Sequence, residues 1–103
     1  MPEKATSRIV YSERSLANAE EIKQYLLYKF TQKEVDNLYK MLAAFESVVK
    51  TFPQLYPLVL NSKKIHRAVL SKQLSVFYTY SKDTISIAAM LDNRMDNAKW
   101  PKG

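Results

Sequence analysis

The chain has 103 residues, 47% hydrophobic and 25% charged, with sixteen Lys and Arg against ten Asp and Glu for a net charge of +6. That length supports a single core, and the balance is that of a folded globular domain rather than a disordered tail or a membrane span. There is no cysteine, His66 is the single histidine and Gly103 the single glycine, which excludes disulfides, thiolate zinc sites, cysteine nucleophiles, His-rich metal clusters and Gly-rich phosphate loops. No metal and no small-molecule cofactor is expected, and the basic balance favours a polyanionic partner.

Met1-Pro2-Glu3-Lys4-Ala5-Thr6-Ser7-Arg8 lacks the apolar stretch of a signal peptide. Apolar runs such as Ile87-Ala88-Ala89-Met90-Leu91 are far short of the ~20 residues that cross a bilayer. A cytoplasmic protein without a membrane partner is expected. Residues 1–103 read as one domain, with a core over about 8–92 and a C-terminal tail over 93–103.

Ile9-Val10-Tyr11 is a β-branched and aromatic run that predicts a short strand. Ser12 and Ser15 then offer hydroxyls for free helix amides, with Glu13 in the first turn, so a helix should begin there. Leu16, Ala19, Ile22 and Leu26 recur at helical spacing as its core face. Thr31-Gln32-Lys33-Glu34 has the form of a capping box. From it a second helix runs with Val35, Leu38, Leu42, Phe45 and Val49 inward, the stripe widened by Met41, Val48 and Phe52 to touch both the first helix and a sheet. Pro53 stops it.

Gln54 to Ser62, with Pro57 inside, reads as an extended surface connection. Three β-rich runs follow, Ile65 to Leu70, Leu74 to Tyr80 and Thr84 to Leu91, separated by Ser71-Lys72-Gln73 and Ser81-Lys82-Asp83 at hairpin spacing. Without glycine, any positive φ in these turns should fall on residues such as Lys72 or Asp83. The order β-α-α-β-β-β predicts an α+β domain in which a helical hairpin covers one face of a small antiparallel sheet and leaves the other open.

Residues 1–60 hold eight cations and seven acids, whereas residues 61–103 hold eight cations and three acids, a net of +5. The charge therefore belongs to the sheet and tail. Arg67 sits mid-strand among apolar residues, and alternation places it with Ile65 and Val69 on the uncovered face, while His66, Ala68 and Leu70 face the helices. His66 is then expected as a satisfied, partly buried histidine.

Several stretches, in this order and spacing, resemble the RelE/ParE superfamily of bacterial type II toxins: Ile9 to Ser15, Phe52-Pro53-Gln54-Leu55-Tyr56-Pro57, His66-Arg67-Ala68-Val69, Leu74 to Tyr78, and Asp92-Asn93-Arg94-Met95-Asp96-Asn97. The resemblance covers roughly residues 8–101 and implies a small basic cytoplasmic toxin, of the plasmid-stabilisation type, neutralised by a cognate antitoxin. ParE-like members inhibit DNA gyrase without being nucleases; RelE-like members are ribosome-dependent endonucleases of messenger RNA.

By the same resemblance, Arg67 and Arg94 would be the catalytic cations of a RelE-like enzyme. Lys63, Lys64, Arg67, Arg94, Lys99 and Trp100 would contact the target or RNA. The position of the RelE-like proton-transfer residue is matched by Trp100, whose indole exchanges no proton near neutral pH. That departure favours a non-enzymatic, ParE-like growth inhibitor over a messenger RNA endonuclease, with a plain nucleic-acid-binding module as a third reading.

Overall fold

The computed structural model describes residues 7–95. Its elements are β1 (Arg8–Tyr11), α1 (Glu13–Lys29), α2 (Gln32–Thr51), β2 (His66–Val69), β3 (Leu74–Ser81) and β4 (Thr84–Asp92), with a short 3-10 turn at Asn93–Met95. This is the α+β order expected from the sequence. The sheet runs β1-β4-β3-β2. The β2-β3-β4 meander is antiparallel, while β1 adds to β4 in parallel, with Ile9 opposite Ile85 and Tyr11 opposite Ile87. A period-2 pattern says which face of β1 is buried but not its neighbour or direction. With β1 on one side and β3 on the other, β4 is an inner strand of the sheet.

The core lies between the sheet and the helical hairpin. Val35, Leu38, Leu42, Phe45 and Val49 from α2 and Ile22 and Leu26 from α1 meet Leu74, Val76, Tyr78, Ile85, Ile87 and Met90 from the sheet. Ile87 and Met90 are three apart yet both buried. The register steps from Phe77 opposite Ala89 to Tyr78 opposite Ile87, so Ala88 is an extra residue that returns Met90 to the core face. The start of α1 satisfies the disturbed backbone: Ser12 Oγ donates to the Ala88 carbonyl at 3.0 Å, and Asn18 Oδ1 accepts from the Met90 amide at 3.0 Å. Ser12 is also the helix cap, accepting from the Ser15 amide at 3.0 Å.

Four local expectations are corrected. The Thr31 to Glu34 capping box does not form: Thr31 is the N-cap without a side-chain bond, and Glu34 turns instead toward Arg94. Leu16 is 56% exposed, and the buried face of α1 is made by Ser15, Ile22, Tyr25 and Leu26. Positive φ falls on Lys82, the first residue of the two-residue β3-β4 loop, and on Asn61, rather than on Lys72 or Asp83. Val48 and Phe52 are not covered by the sheet, and Phe52 is 61% exposed. Beyond Val49, Tyr56 of the following connection packs at the core margin.

Leu16 instead borders a hollow of about 370 Å³ with Ala19, Tyr39, Leu42 and Met90, whose lining includes Tyr11 and Glu46, joined by a hydrogen bond from the Tyr11 hydroxyl. Burial, then this carboxylate, raises the Tyr11 pKa. Among the described residues, no helix is long and apolar enough to cross a membrane.

Candidate functional site

Alternation along β2 puts Arg67 on the face away from the helices, as expected. Its Nε and Nη2 donate to Ser75 Oγ at 3.3 and 3.2 Å, and its Cζ lies 5.7 Å from the Phe77 ring centroid. The guanidinium remains exposed and has no carboxylate partner among the described residues. It is a cation held in place by a hydroxyl and an aromatic face, free to meet an anion from outside.

Lys63 and Lys64 lie just before β2 on a loop shaped by Ser62, whose Oγ accepts from the Lys64 and Ile65 amides at 3.1 and 2.9 Å. They line a groove of about 710 Å³ with Gln54, Leu58, His66 and Tyr80. Beyond Pro57 the connection crosses the outer edge of β2: the Arg67 amide donates to the Pro57 carbonyl at 2.9 Å, and the Val59 amide to the Ile65 carbonyl at 2.7 Å. His66 is satisfied as expected, stacked on Tyr78 at 5.0 Å with Nδ1 2.7 Å from the Tyr56 carbonyl. The Tyr56 carbonyl can only accept, so Nδ1 carries the proton of this bond.

Arg94 has a different environment. Its Nε and Nη2 donate to the two oxygens of Asp92 at 3.0 and 2.7 Å, Nη1 lies 3.6 Å from Glu34, and the guanidinium sits 5.2 Å from the Phe30 ring centroid. The Asp92 hydrogen bonds raise its pKa further, against partial burial. Asp92 is 2% exposed and also accepts from the Arg94 amide. The Tyr25 hydroxyl donates to the Arg94 carbonyl at 3.3 Å. Arg94 thus ties the end of β4 to both helices, its charge answered by two carboxylates.

The sequence-based candidates therefore separate. Lys63 and Lys64 lie at the Tyr80 end of β3, and Arg94 follows the strand paired with its Leu74 end, roughly 20 Å away at about 3.3 Å per residue. Arg67 is between them in register but on the opposite face. Lys99 and Trp100 lie outside the described residues. Sequence reasoning missed Asp92 as the partner of Arg94; the signal was an acid closing an apolar strand with an arginine two residues on. It also missed Gln54, Leu58 and Tyr80 as groove lining, for which no local signal exists.

A chain of the chromosomal ParDE toxin-antitoxin system from P. aeruginosa superposes with a TM-score of 0.69, covering 84% of this chain and 96% of that one at 8% identity. The E. coli DinJ-YafQ toxin-antitoxin complex gives 0.62, covering 93% and 99% at 10% identity. The YoeB dimer from Staphylococcus aureus gives 0.56, covering 84% and 97% at 17% identity. The fold is that of the RelE/ParE toxins. No protein-family model and no curated protein sequence matches the chain.

The RelE/ParE-like fold here carries a pH-sensitive core tyrosine. Tyr78 is fully buried, its hydroxyl donating to the Pro53 carbonyl at 2.6 Å, and burial pushes its pKa from 10.0 up to about 12. The folded state keeps this proton to higher pH than the unfolded chain, so its contribution is complete below pH 10 and is lost as pH rises toward 12. Thermal melts should show stability falling by about 1–3 kcal/mol across that window. Tyr78→Phe should reduce the slope, and an unchanged slope would assign it to Tyr11 and the other phenols.

Proposed function

We propose that this chain is the toxin of a type II toxin-antitoxin module, ParE-like in action: it inhibits an intracellular target such as DNA gyrase in the cytoplasm and is neutralised by a cognate antitoxin. The likeness of fold to the ParDE and DinJ-YafQ chains supports the toxin reading. The observation that favours binding over catalysis is the setting of Arg67. Its neighbours are Ser75 and Phe77, neither of which titrates near neutral pH. His66 points to the other face with Nδ1 committed to Tyr56, and Arg94 is neutralised by Asp92 and Glu34. Cleavage of RNA requires a base, an acid and cations around one phosphate. Lys99 and Trp100 enter the target-binding set through the family resemblance alone.

The second reading, a RelE-like ribosome-dependent messenger RNA endonuclease, is favoured by the free charge of Arg67, Lys63 and Lys64. The experiment is expression without an antitoxin, followed by gyrase supercoiling and cell-free translation assays on purified protein. Growth arrest with inhibited supercoiling and intact transcripts is expected. Arg67→Ala should fold normally and inhibit about tenfold less well, the scale of a charge-assisted hydrogen bond. Cleaved transcripts would replace this reading with the endonuclease, and normal growth would remove both.

A further inference from the structure

Leu16, Ala19 and Glu20 stand at i, i+3 and i+4 on α1, and Tyr39, Leu42, Ala43 and Glu46 at i, i+3, i+4 and i+7 on α2, so each set projects from one side of its helix. With Tyr11 of β1 and Met90 of β4, these side chains line the hollow of about 370 Å³ between the hairpin and the sheet. Ala19 and Ala43 leave it open, because a methyl group is too short to fill the space. Leu42 and Met90 are buried and form an apolar floor, while Leu16 and Tyr39 are exposed at the rim. The volume is at the lower end of small-molecule sites.

Its charge runs against that of the protein. In a chain of net charge +6, the described lining holds two carboxylates, Glu20 and Glu46, and no Lys or Arg. Glu46 is half-buried and accepts the Tyr11 hydroxyl at Oε2, which leaves Oε1 without a partner among the described residues. Glu20 accepts from Gln24 at 2.9 Å. Neither carboxylate makes an ion pair among the described residues, although charge drawn out of water is ordinarily paired. The rings of Tyr11 and Tyr39 add faces that attract a cation.

We propose that this hollow binds a small organic cation, an ammonium or amidinium group on an apolar body, with the charge against Glu46 and Glu20 and the body against Leu42 and Met90. An anion would meet two carboxylates. A neutral apolar ligand would cover Glu46 without supplying the opposite charge. A metal ion needs a shell of oxygen ligands, and no group of three metal-ligating side chains exists among the described residues. The hollow lies on the helix side of the sheet, whereas Arg67 projects from the other face. Binding here is therefore separate from the target surface and does not depend on the toxin reading.

The test is a titration of the purified full chain, followed by two-dimensional amide NMR, with four probes: 2-phenylethylamine, its neutral counterpart 2-phenylethanol, the anion 3-phenylpropionate, and arginine blocked at both ends as a stand-in for a polypeptide side chain. The amine should bind with a Kd of about 1–10 mM, the range for a ligand of its size, more weakly as salt rises, and should shift amides around Ala19, Ala43, Glu46 and Met90. The alcohol should bind about five- to tenfold more weakly, the scale of one partly desolvated charge pair, and the anion not at all. Glu46→Gln, which keeps an acceptor for Tyr11, should weaken the amine by the same factor. Glu21→Gln, an equal charge change on the exposed side of α1, should leave it unchanged, and Ala43→Phe should abolish binding by filling the hollow. Circular dichroism melts establish that each variant folds, and the comparison of amine with alcohol needs no variant. No amine binding at about 50 mM, equal affinities for amine and alcohol, an equal loss in Glu21→Gln, shifts confined to other surfaces, or tighter binding of the blocked arginine would overturn the proposal.

Discussion

Replacing Phe45 with alanine is expected to bring the domain to the edge of unfolding. Phe45 is 2% exposed, and its ring meets Tyr56 at 5.8 Å and Tyr78 at 5.7 Å, while Tyr56 and Tyr78 contact each other at 6.4 Å. The three rings join α2, the connection after it and β3, with His66 stacked beyond. Truncation removes two aromatic contacts and leaves a cavity that a sheet and a helix cannot close, at a cost of about 3–5 kcal/mol. A domain of this size has about 5–15 kcal/mol in total, and a loss of 1 kcal/mol lowers Tm by about 4–8 °C. Urea and thermal unfolding should therefore show a Tm lowered by about 15–30 °C, with Phe45→Leu losing less than half as much. A loss below about 1 kcal/mol would mean that the ring cluster does not secure the connection. Because the Tyr56 carbonyl holds His66 Nδ1, the same change should loosen the groove that Lys63 and Lys64 line.

Asp92→Ala should cost about 2–3 kcal/mol. The carboxylate is buried, accepts two hydrogen bonds from the Arg94 side chain and one from its amide, and so ties β4 to the turn that follows. Breaking a fully buried pair costs about 3–5 kcal/mol; the Arg94 side chain is 26% exposed, so water recovers part of that. The informative measurement is a double-mutant cycle with Arg94→Ala. Once Asp92 is gone, removing Arg94 should cost little, giving a coupling of about 1–3 kcal/mol. Additive losses would show that Arg94 acts through Glu34 and Phe30 instead.

The sequence was most readable where one helix or strand repeats a pattern against one neighbour. All five inward positions of α2, Val35, Leu38, Leu42, Phe45 and Val49, are buried as their spacing predicts, and Ser12 caps α1. Arg67 and His66 take opposite faces because alternation over four residues leaves them no choice. Patterns failed where two elements compete for one group. Glu34 fits a capping box until Arg94 offers a charged partner across the fold, and Leu16 fits a core stripe but borders a surface hollow instead.

The candidate site was legible as a list of residues and not as a place. Lys63, Lys64, Arg67 and Arg94 stand out in the sequence as cations on a basic strand-rich half. Nothing local says that the lysines open into a groove with Gln54 and Tyr80, that Arg67 lies across the sheet from them, or that Arg94 is already answered by Asp92.

The sequence by itself determined an α+β order of elements, from its hydrophobic patterns, and a composition without thiol, glycine-loop or multi-histidine chemistry, with its basic excess in residues 61–103. Those properties follow from what the residues are, independent of how they meet. Only the tertiary structure decided that β1 pairs in parallel with β4, that Ala88 bulges to bring Met90 inward, and which cations remain uncompensated. Each of these depends on contacts between residues far apart in the chain, where loop closure and packing, rather than local preference, select the neighbour. The +6 charge met at the outset is thus a composition fact whose use is set by the fold: Arg94 spends its charge on two carboxylates inside the molecule, and Lys63 and Lys64 keep theirs at an open groove.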